Sequence, residues 1–225
     1  MRLADLTWPE VGERAAAGAV LAVPLGSTEQ HGPHLPLATD TDIALALCDR
    51  LAAARADVLV APPVAYGSAG EHAGFPGTLS IGQAAVELLV LELVRSATDT
   101  FDHVLLVSAH GGNAEPVGRA VTRLRGESRD VHVFAATWLG DPHAGRPETA
   151  MLLVLAPDMV HMGRATPGDS RPLAQLLPLL RAGGVRAVSE SGVLGDPTGA
   201  TADEGVTLLD TLGAALADEV KAWLG

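Results

Sequence analysis

The amino-acid sequence predicts an α/β fold: three layers, α/β/α, with a mostly parallel central sheet. Two observations carry this reading. Apolar runs of strand length alternate with segments of helical periodicity from one end of the chain to the other. Glycine-rich turns at Gly26, Ser108 and Trp138 follow expected strand ends, which is where open α/β sheets place their ligands. No linker, internal repeat or low-complexity segment interrupts the 225 residues, so 1–225 is expected to form a single domain.

Each element has a local reason. Thr7-Trp8-Pro9-Glu10 is a capping box with proline near the first helical position, opening a helix to about Ala17. Residues 19–25 read as a buried strand ended by Gly26. Residues 39–54 place Ile43, Leu47 and Leu51 on one helical face. A second strand spans 57–61 and stops at Pro62-Pro63. After a Gly- and His-rich loop over 66–80, an amphipathic helix over 82–97 carries Val86, Leu89, Val90 and Leu93. A third strand covers 103–108, and His110-Gly-Gly-Asn113 leads into a helix through about Arg125. A fourth strand covers 131–137, and a helix starting at Pro147 reaches about Val154. A helix over 171–181, a short strand over 185–189 and a final helix over 202–224 complete the expectation.

Composition narrows the function. The net charge of −12 opposes a nucleic-acid partner, because phosphate contacts require a basic surface. The single cysteine, Cys48, excludes an internal disulfide and any multi-thiolate metal site; its apolar neighbours mark it as a buried structural thiol. Lys221 is the only lysine, which excludes a Walker A lysine and argues against Schiff-base chemistry. Apolar runs such as 151–157 are about a third of the roughly 20 residues a membrane helix requires. The N-terminus also lacks the basic-then-apolar pattern of a signal peptide. A cytoplasmic protein with no membrane partner is expected.

The richest segment is Gly26-Ser-Thr-Glu-Gln-His-Gly-Pro-His-Leu-Pro-Leu-Ala-Thr-Asp40. Glu29, His31 and Asp40 stand there in a stiff loop just beyond a strand. Mixed oxygen and nitrogen donors on such a loop suit a hard-to-borderline divalent cation. Three further groups follow the other strands: Glu71-His72, His110-Gly111-Gly112-Asn113, and His143 to Glu148. Taken singly, Asp40 and Glu148 also suit first-turn carboxylates facing a helix dipole. Their joint occurrence at equivalent strand ends points instead to one shared site. His103, His132 and His161 lack such company and are read as structural; His34 is ambiguous, close to the cluster but within a rigid turn. The chain has no Gly-x-Ser-x-Gly elbow, no dinucleotide fingerprint and no His-Glu-x-x-His helix. Metal-assisted hydrolysis is the chemistry that survives.

Three blocks, the segment 26–40, Ser-Ala-His-Gly-Gly-Asn over 108–113, and His-Ala-Gly-x-x-Glu-Thr over 143–149, resemble the signatures of the creatininase (creatinine amidohydrolase) family. The resemblance runs over about 1–224 and implies a creatininase-like metallohydrolase with two divalent ions (Zn, Fe or Mn). It also implies hydrolysis of C–N amide-type bonds and a homo-oligomer. Carried over, Glu29, His31, Asp40 and His110 match metal ligands, with Asp40 bridging. Gly112 stands where creatininase has a ligand carboxylate, so Glu148 is expected to supply it, as in the family's His-Gly-Gly-Asn branch. His143 matches a proton-shuttling histidine free of metal. Glu71, His72, Gly111, Gly112, Asn113 and Trp138 are expected at the substrate. The short chain, His-Ala-Gly-Arg and the segment 189–198 most resemble the branch that matures mycofactocin. That branch implies release of a C-terminal Val-Tyr dipeptide from a modified precursor peptide. The alternatives are a family member acting on a small cyclic or formylamino amide, or a non-catalytic metal-binding protein on the same fold.

Overall fold

A computed structural model describes residues 1–225. Four parallel strands, β1 (Val20–Leu25), β2 (Val58–Val60), β3 (His103–Ser108) and β4 (Val131–Ala135), form a sheet of order β2-β1-β3-β4. Helices α1 (Trp8–Ala16), α2 (Thr39–Ala54), α3 (Gln83–Ala97), α4 (Ala114–Gly126), α5 (Arg146–Leu155), α6 (Leu173–Gly183) and α7 (Ala202–Leu224) complete the chain.

Alternation along the strands builds two cores. Val20 and Ala22 of β1 face Ile43, Leu47 and Leu51 of α2, together with Met151 and Leu152 of α5 and Leu209, Leu212 and Leu216 of α7. Leu21, Val23 and Leu25 face the opposite layer, where Val86, Val90 and Val94 of α3 meet Val117, Val121 and Leu124 of α4. A strand buried on both faces must be apolar at every position, and all six residues of β1 are buried. This is the expected three-layer arrangement.

Topology creates the crevice. The chain leaves β1 for β2 on one side of it, then crosses back to β3 on the other. Successive connections therefore diverge between the carboxyl ends of β1 and β3, the point at which such sheets bind ligands. Those ends are level, since Leu25 pairs with Ser108. Gly26 and His110 thus emerge side by side.

Two boundaries move. Residues 185–189, expected as a strand, form a single 3₁₀ turn over Val185–Ala187. Gly184 leaves α6 at φ 70°, packed against the Glu71 carbonyl, and leads directly into that turn. The fourth strand stops at Ala135, short of 137. The final helix begins as its sequence dictates: Glu204 Oε2 accepts the Thr201 amide at 3.0 Å, closing a capping box.

Candidate metal centre

Glycine at position 26 lets α2 dock onto the end of β1. A Cβ there would lie 2.5 Å from the Thr41 Cα and 2.3 Å from its Oγ1. This close approach seats the first turn of α2 beside the 26–36 loop and brings Asp40 Oδ1 to 3.2 Å from His31 Nε2. Across the crevice, His110 Nδ1 lies 3.3 Å from Glu29 Oε2 and 3.2 Å from Asp40 Oδ2. The other nitrogen of that ring, Nε2, donates to the Ser68 carbonyl at 2.9 Å, which turns Nδ1 toward the carboxylates. Glu148, in the first turn of α5, places Oε2 4.0 Å from His31 Nε2 and is itself buried.

The donor atoms fall into overlapping groups: Glu29, Asp40 and His110; His31, Asp40 and Glu148; and Glu29, His31 and His143. Asp40 belongs to the first two. Each group keeps its ligand atoms within 4.8 Å of one another.

The residues fit cations. Three carboxylates, Glu29, Asp40 and Glu148, are almost fully buried together, an arrangement that costs several kcal/mol per uncompensated ion. Glu29 Oε2 and Asp40 Oδ2 have no hydrogen-bond partner. Without metal, protons take up part of the charge. Burial, reinforced by Asp40, pushes the Glu29 carboxyl up. Burial pushes Glu148 up to about 7 despite the attraction of His31. For His31 burial works against charge, but Asp40, Glu148 and Glu29 override it and raise the imidazole to about 10. His110 is likewise raised against burial by Glu29 and Asp40. Burial would raise Asp40, but His31 and His110 hold it well below the usual carboxylate range.

A second ring of groups stands over this cluster. His72 Nε2 lies 3.3 Å from Glu29 Oε1, and His143 Nδ1 lies 3.8 Å from the same oxygen. Their rings are 4.4 Å apart, and His143 is 4.5 Å from His31. Burial lowers both: His72 to about 3, and His143 well below its ordinary value, each assisted by the neighbouring His31. Gln30 ties them together: its Nε2 donates to the Gly192 carbonyl at 3.1 Å and lies 2.9 Å from His72 Nδ1, while its main chain meets His143. The Gln30 carbonyl accepts from His143 Nε2 at 2.9 Å, which leaves Nδ1 facing Glu29. Position 192 must be glycine, because a Cβ would lie 1.9 Å from Gln30 Oε1. Gln30 was missed in the sequence; the only signal was an amide lying between two candidate ligands.

The other expected site residues divide. Glu71, His72, Gly111, Gly112 and Trp138 line a cavity of about 990 Å³ that opens onto the cluster. His72 is the exception in kind, lying against Glu29 as well as the cavity. Asn113 is turned into the protein: its Oδ1 accepts the Ser68 amide and its Nδ2 donates to the Gly26 carbonyl, both at 3.0 Å. It braces the loops and does not line the cavity. His34 lies beneath the site, buried, with Nε2 2.9 Å from Thr149 Oγ1. His103 and His132 flank Trp223, far in sequence from this cluster, and pair with Asp130 and Glu219.

Glycine at 112 has a steric reason. A Cβ would lie 2.1 Å from the Ser68 carbonyl oxygen and 2.4 Å from His110 Nε2. The loop that orients His110 thus occupies the space a side chain at 112 would need, and the third carboxylate comes from α5.

Comparison with known proteins identifies this arrangement. The creatininase (creatinine amidohydrolase) family model matches residues 4–220. The chain belongs to the creatininase family. The mycofactocin precursor peptide peptidase of Mycolicibacterium smegmatis is 49% identical over 215 residues, 91% of this chain and 85% of that one. The protein of the same name from Mycobacterium tuberculosis is 44% identical over 96% of this chain and 93% of its own. Among solved structures, one described as "Creatininase Mn" superposes with a TM-score of 0.82 at 26% identity, covering 98% of this chain and 97% of that one. A mutant creatininase of "Zn-Zn type" matches equally, with a TM-score of 0.82 and 26% identity over 98% of this chain and 97% of that one. These neighbours share the fold, and a metal-dependent hydrolase family accounts for the buried Glu/His/Asp cluster.

Proposed function

We propose that this protein is the metal-dependent peptidase of mycofactocin maturation, hydrolysing a C–N bond to release Val-Tyr from the C-terminus of a modified precursor peptide. The observation that carries the reading is the 44–49% identity, over most of the chain, to relatives bearing that activity in their names. The cavity supports it: about 990 Å³ is far more than a small cyclic amide fills, and it suits a peptide end.

Glu29, Asp40 and His110 would hold one divalent ion, and His31, Asp40 and Glu148 a second. Such ions supply Lewis-acid polarisation of a carbonyl and a nucleophile from water at neutral pH. The protein's own groups do the rest. His143, neutral by burial, presents Nδ1 toward Glu29 and would take up there the proton released by the attacking water and pass it to the departing amine. Backbone N–H groups at Gly111 and Gly112, on the cavity wall just before α4, would steady a developing oxyanion. Trp138 and Glu71 would position the peptide.

The test is direct. Metal-loaded protein is mixed with the modified precursor peptide, with creatinine and with a formylaminopyrimidine, and the products are weighed by mass spectrometry. Loss of Val-Tyr from the peptide is expected. An intact peptide beside opened creatinine or a deformylated pyrimidine would overturn the reading.

A further inference from the structure

Two buried imidazoles, those of His72 and His143, face the same oxygen of Glu29. One residue, Gln30, meets both. Its side-chain amide can stand only one way round. Oε1 accepts the Gly32 amide at 2.8 Å, and Nε2 donates to the Gly192 carbonyl at 3.1 Å. A flipped amide would set donor against donor at Gly32 and acceptor against acceptor at Gly192. The second hydrogen on Nε2 is therefore the one directed at His72 Nδ1, 2.9 Å away. Gly192 closes the fit from behind, at φ 81° and with no room for a Cβ beside Gln30 Oε1.

This fixes what each ring shows to the centre, because the partner of one ring nitrogen sets the state of the other. His72 Nδ1 accepts from Gln30, so it carries no hydrogen, and the hydrogen of that ring sits on Nε2. Nε2 is the nitrogen 3.3 Å from Glu29 Oε1. His143 is anchored by the main chain of the same residue, its Nε2 donating to the Gln30 carbonyl at 2.9 Å. Its Nδ1, 3.8 Å from Glu29 Oε1, keeps a lone pair. Both rings thus hold their hydrogen on Nε2. Yet His72 turns an N–H toward Glu29, and His143 turns a base.

We infer that Gln30 is a positioning residue that directs the proton released during hydrolysis to His143 and withholds it from His72. The proton goes to Nδ1 of His143, whose Nε2 hydrogen stays on the Gln30 carbonyl, and then on to the departing amine. His72 takes none: its Nδ1 lone pair is occupied, and its Nε2 already carries a hydrogen, turned to Glu29 Oε1. The inference rests on the hydrolytic reading and adds how the proton's route is set. A Gln30 that merely filled space would leave the ring hydrogens indifferent to the chemistry of its side chain.

The experiment reads those hydrogens directly. The full chain is made with isotopically labelled histidine, and long-range proton–nitrogen correlation is recorded on metal-free and zinc-loaded protein. Signals are assigned by their loss in His72→Phe and His143→Ala. Both rings should show the hydrogen on Nε2, and His72 should keep it when zinc is added. Gln30→Glu keeps the shape of the side chain but has no hydrogen to give. There His72 Nδ1 should gain a hydrogen, while His143, held by the main chain, is unchanged. On the modified precursor peptide, kcat should fall about 10–100-fold with KM little altered, the usual effect of losing a group that orients a metal site. A hydrogen on His72 Nδ1 in the unaltered protein, loss of the Nε2 hydrogen on zinc loading, or an unmoved His72 in Gln30→Glu would overturn the assignment. If the rings behave as expected but the unaltered protein leaves the peptide intact, the peptidase reading fails and the arrangement of the rings stands.

Discussion

The backbone amide of Ala144 donates to Glu148 Oε2 at 2.5 Å, and Ala144 holds φ at 51° to do so. This left-handed residue lies between His143 and the helix that carries Glu148, and it is fully buried. Its conformation aims the imidazole and the carboxylate at the same cluster. Left-handed geometry costs a non-glycine residue roughly 1–2 kcal/mol, a strain typical of functional sites.

Ala144→Gly removes that strain and is expected to leave the melting temperature unchanged or raised. Ala144→Val should lower it by several degrees and reduce metal content, since a β-branched residue resists positive φ and the position has no free space. Calorimetry with elemental analysis checks both. A valine variant as stable and as metal-rich as the parent would dissociate this turn from the site.

Shared ligands predict unequal losses of metal. Asp40→Ala should empty both ion positions, because Asp40 belongs to both ligand groups; Glu148→Ala should empty chiefly the one it shares with His31. His143→Ala should keep most of the metal while turnover falls about 10²–10⁴-fold, the usual worth of a general acid. Full occupancy in both carboxylate variants would show that the centre lies elsewhere.

Restoring the creatininase-like carboxylate by Gly112→Asp should harm the protein. The new Cβ meets the Ser68 carbonyl that orients His110, so the loop must shift, at a cost of about 1–3 kcal/mol. Metal affinity is expected to fall, measured by competition with a chelating dye. A gain in affinity would mean that the loop adapts freely.

The centre also dictates how the metal-free protein responds to alkali. His31 is raised to about 10 and His110 well above its ordinary value when folded, against about 6.5 unfolded. Folded protein therefore binds more protons across that interval, so this stability is complete below about pH 6.5 and is lost as pH rises toward 10. Melting temperatures at pH 7 and 9.5 should show the decline in chelator-treated protein. Added metal should abolish it, because cations take the place of those protons. A flat metal-free profile would contradict the coupling of His31 to Asp40 and Glu148.

Much of this molecule is determined locally. Strand runs such as 103–108, the amphipathic faces of α2 and α3 and the capping box at Thr201 follow from nearest-neighbour chemistry, and the sequence by itself determines them. The segment 26–40 also carries Glu29, His31 and Asp40 close together, so a candidate metal-binding loop was legible there, while the expectation that Glu148 joins it came from the family resemblance. Tertiary structure alone decided the rest. Gln30 acquired its role because the 189–198 segment returns with Gly192 against it. Asn113 was turned into the protein, off the cavity wall, by the carbonyl of Gly26 and the amide of Ser68. Residues 185–189 had strand-like side chains, but the chain enters them through Gly184 packed against the Glu71 carbonyl and folds as a turn away from the sheet. The face of α6 that lines the cavity could not be read from its leucine spacing, which would equally serve a helix packed in the core. In each case the deciding partner lies tens of residues away, and spacing along a chain records which groups are present, not which distant surface completes them.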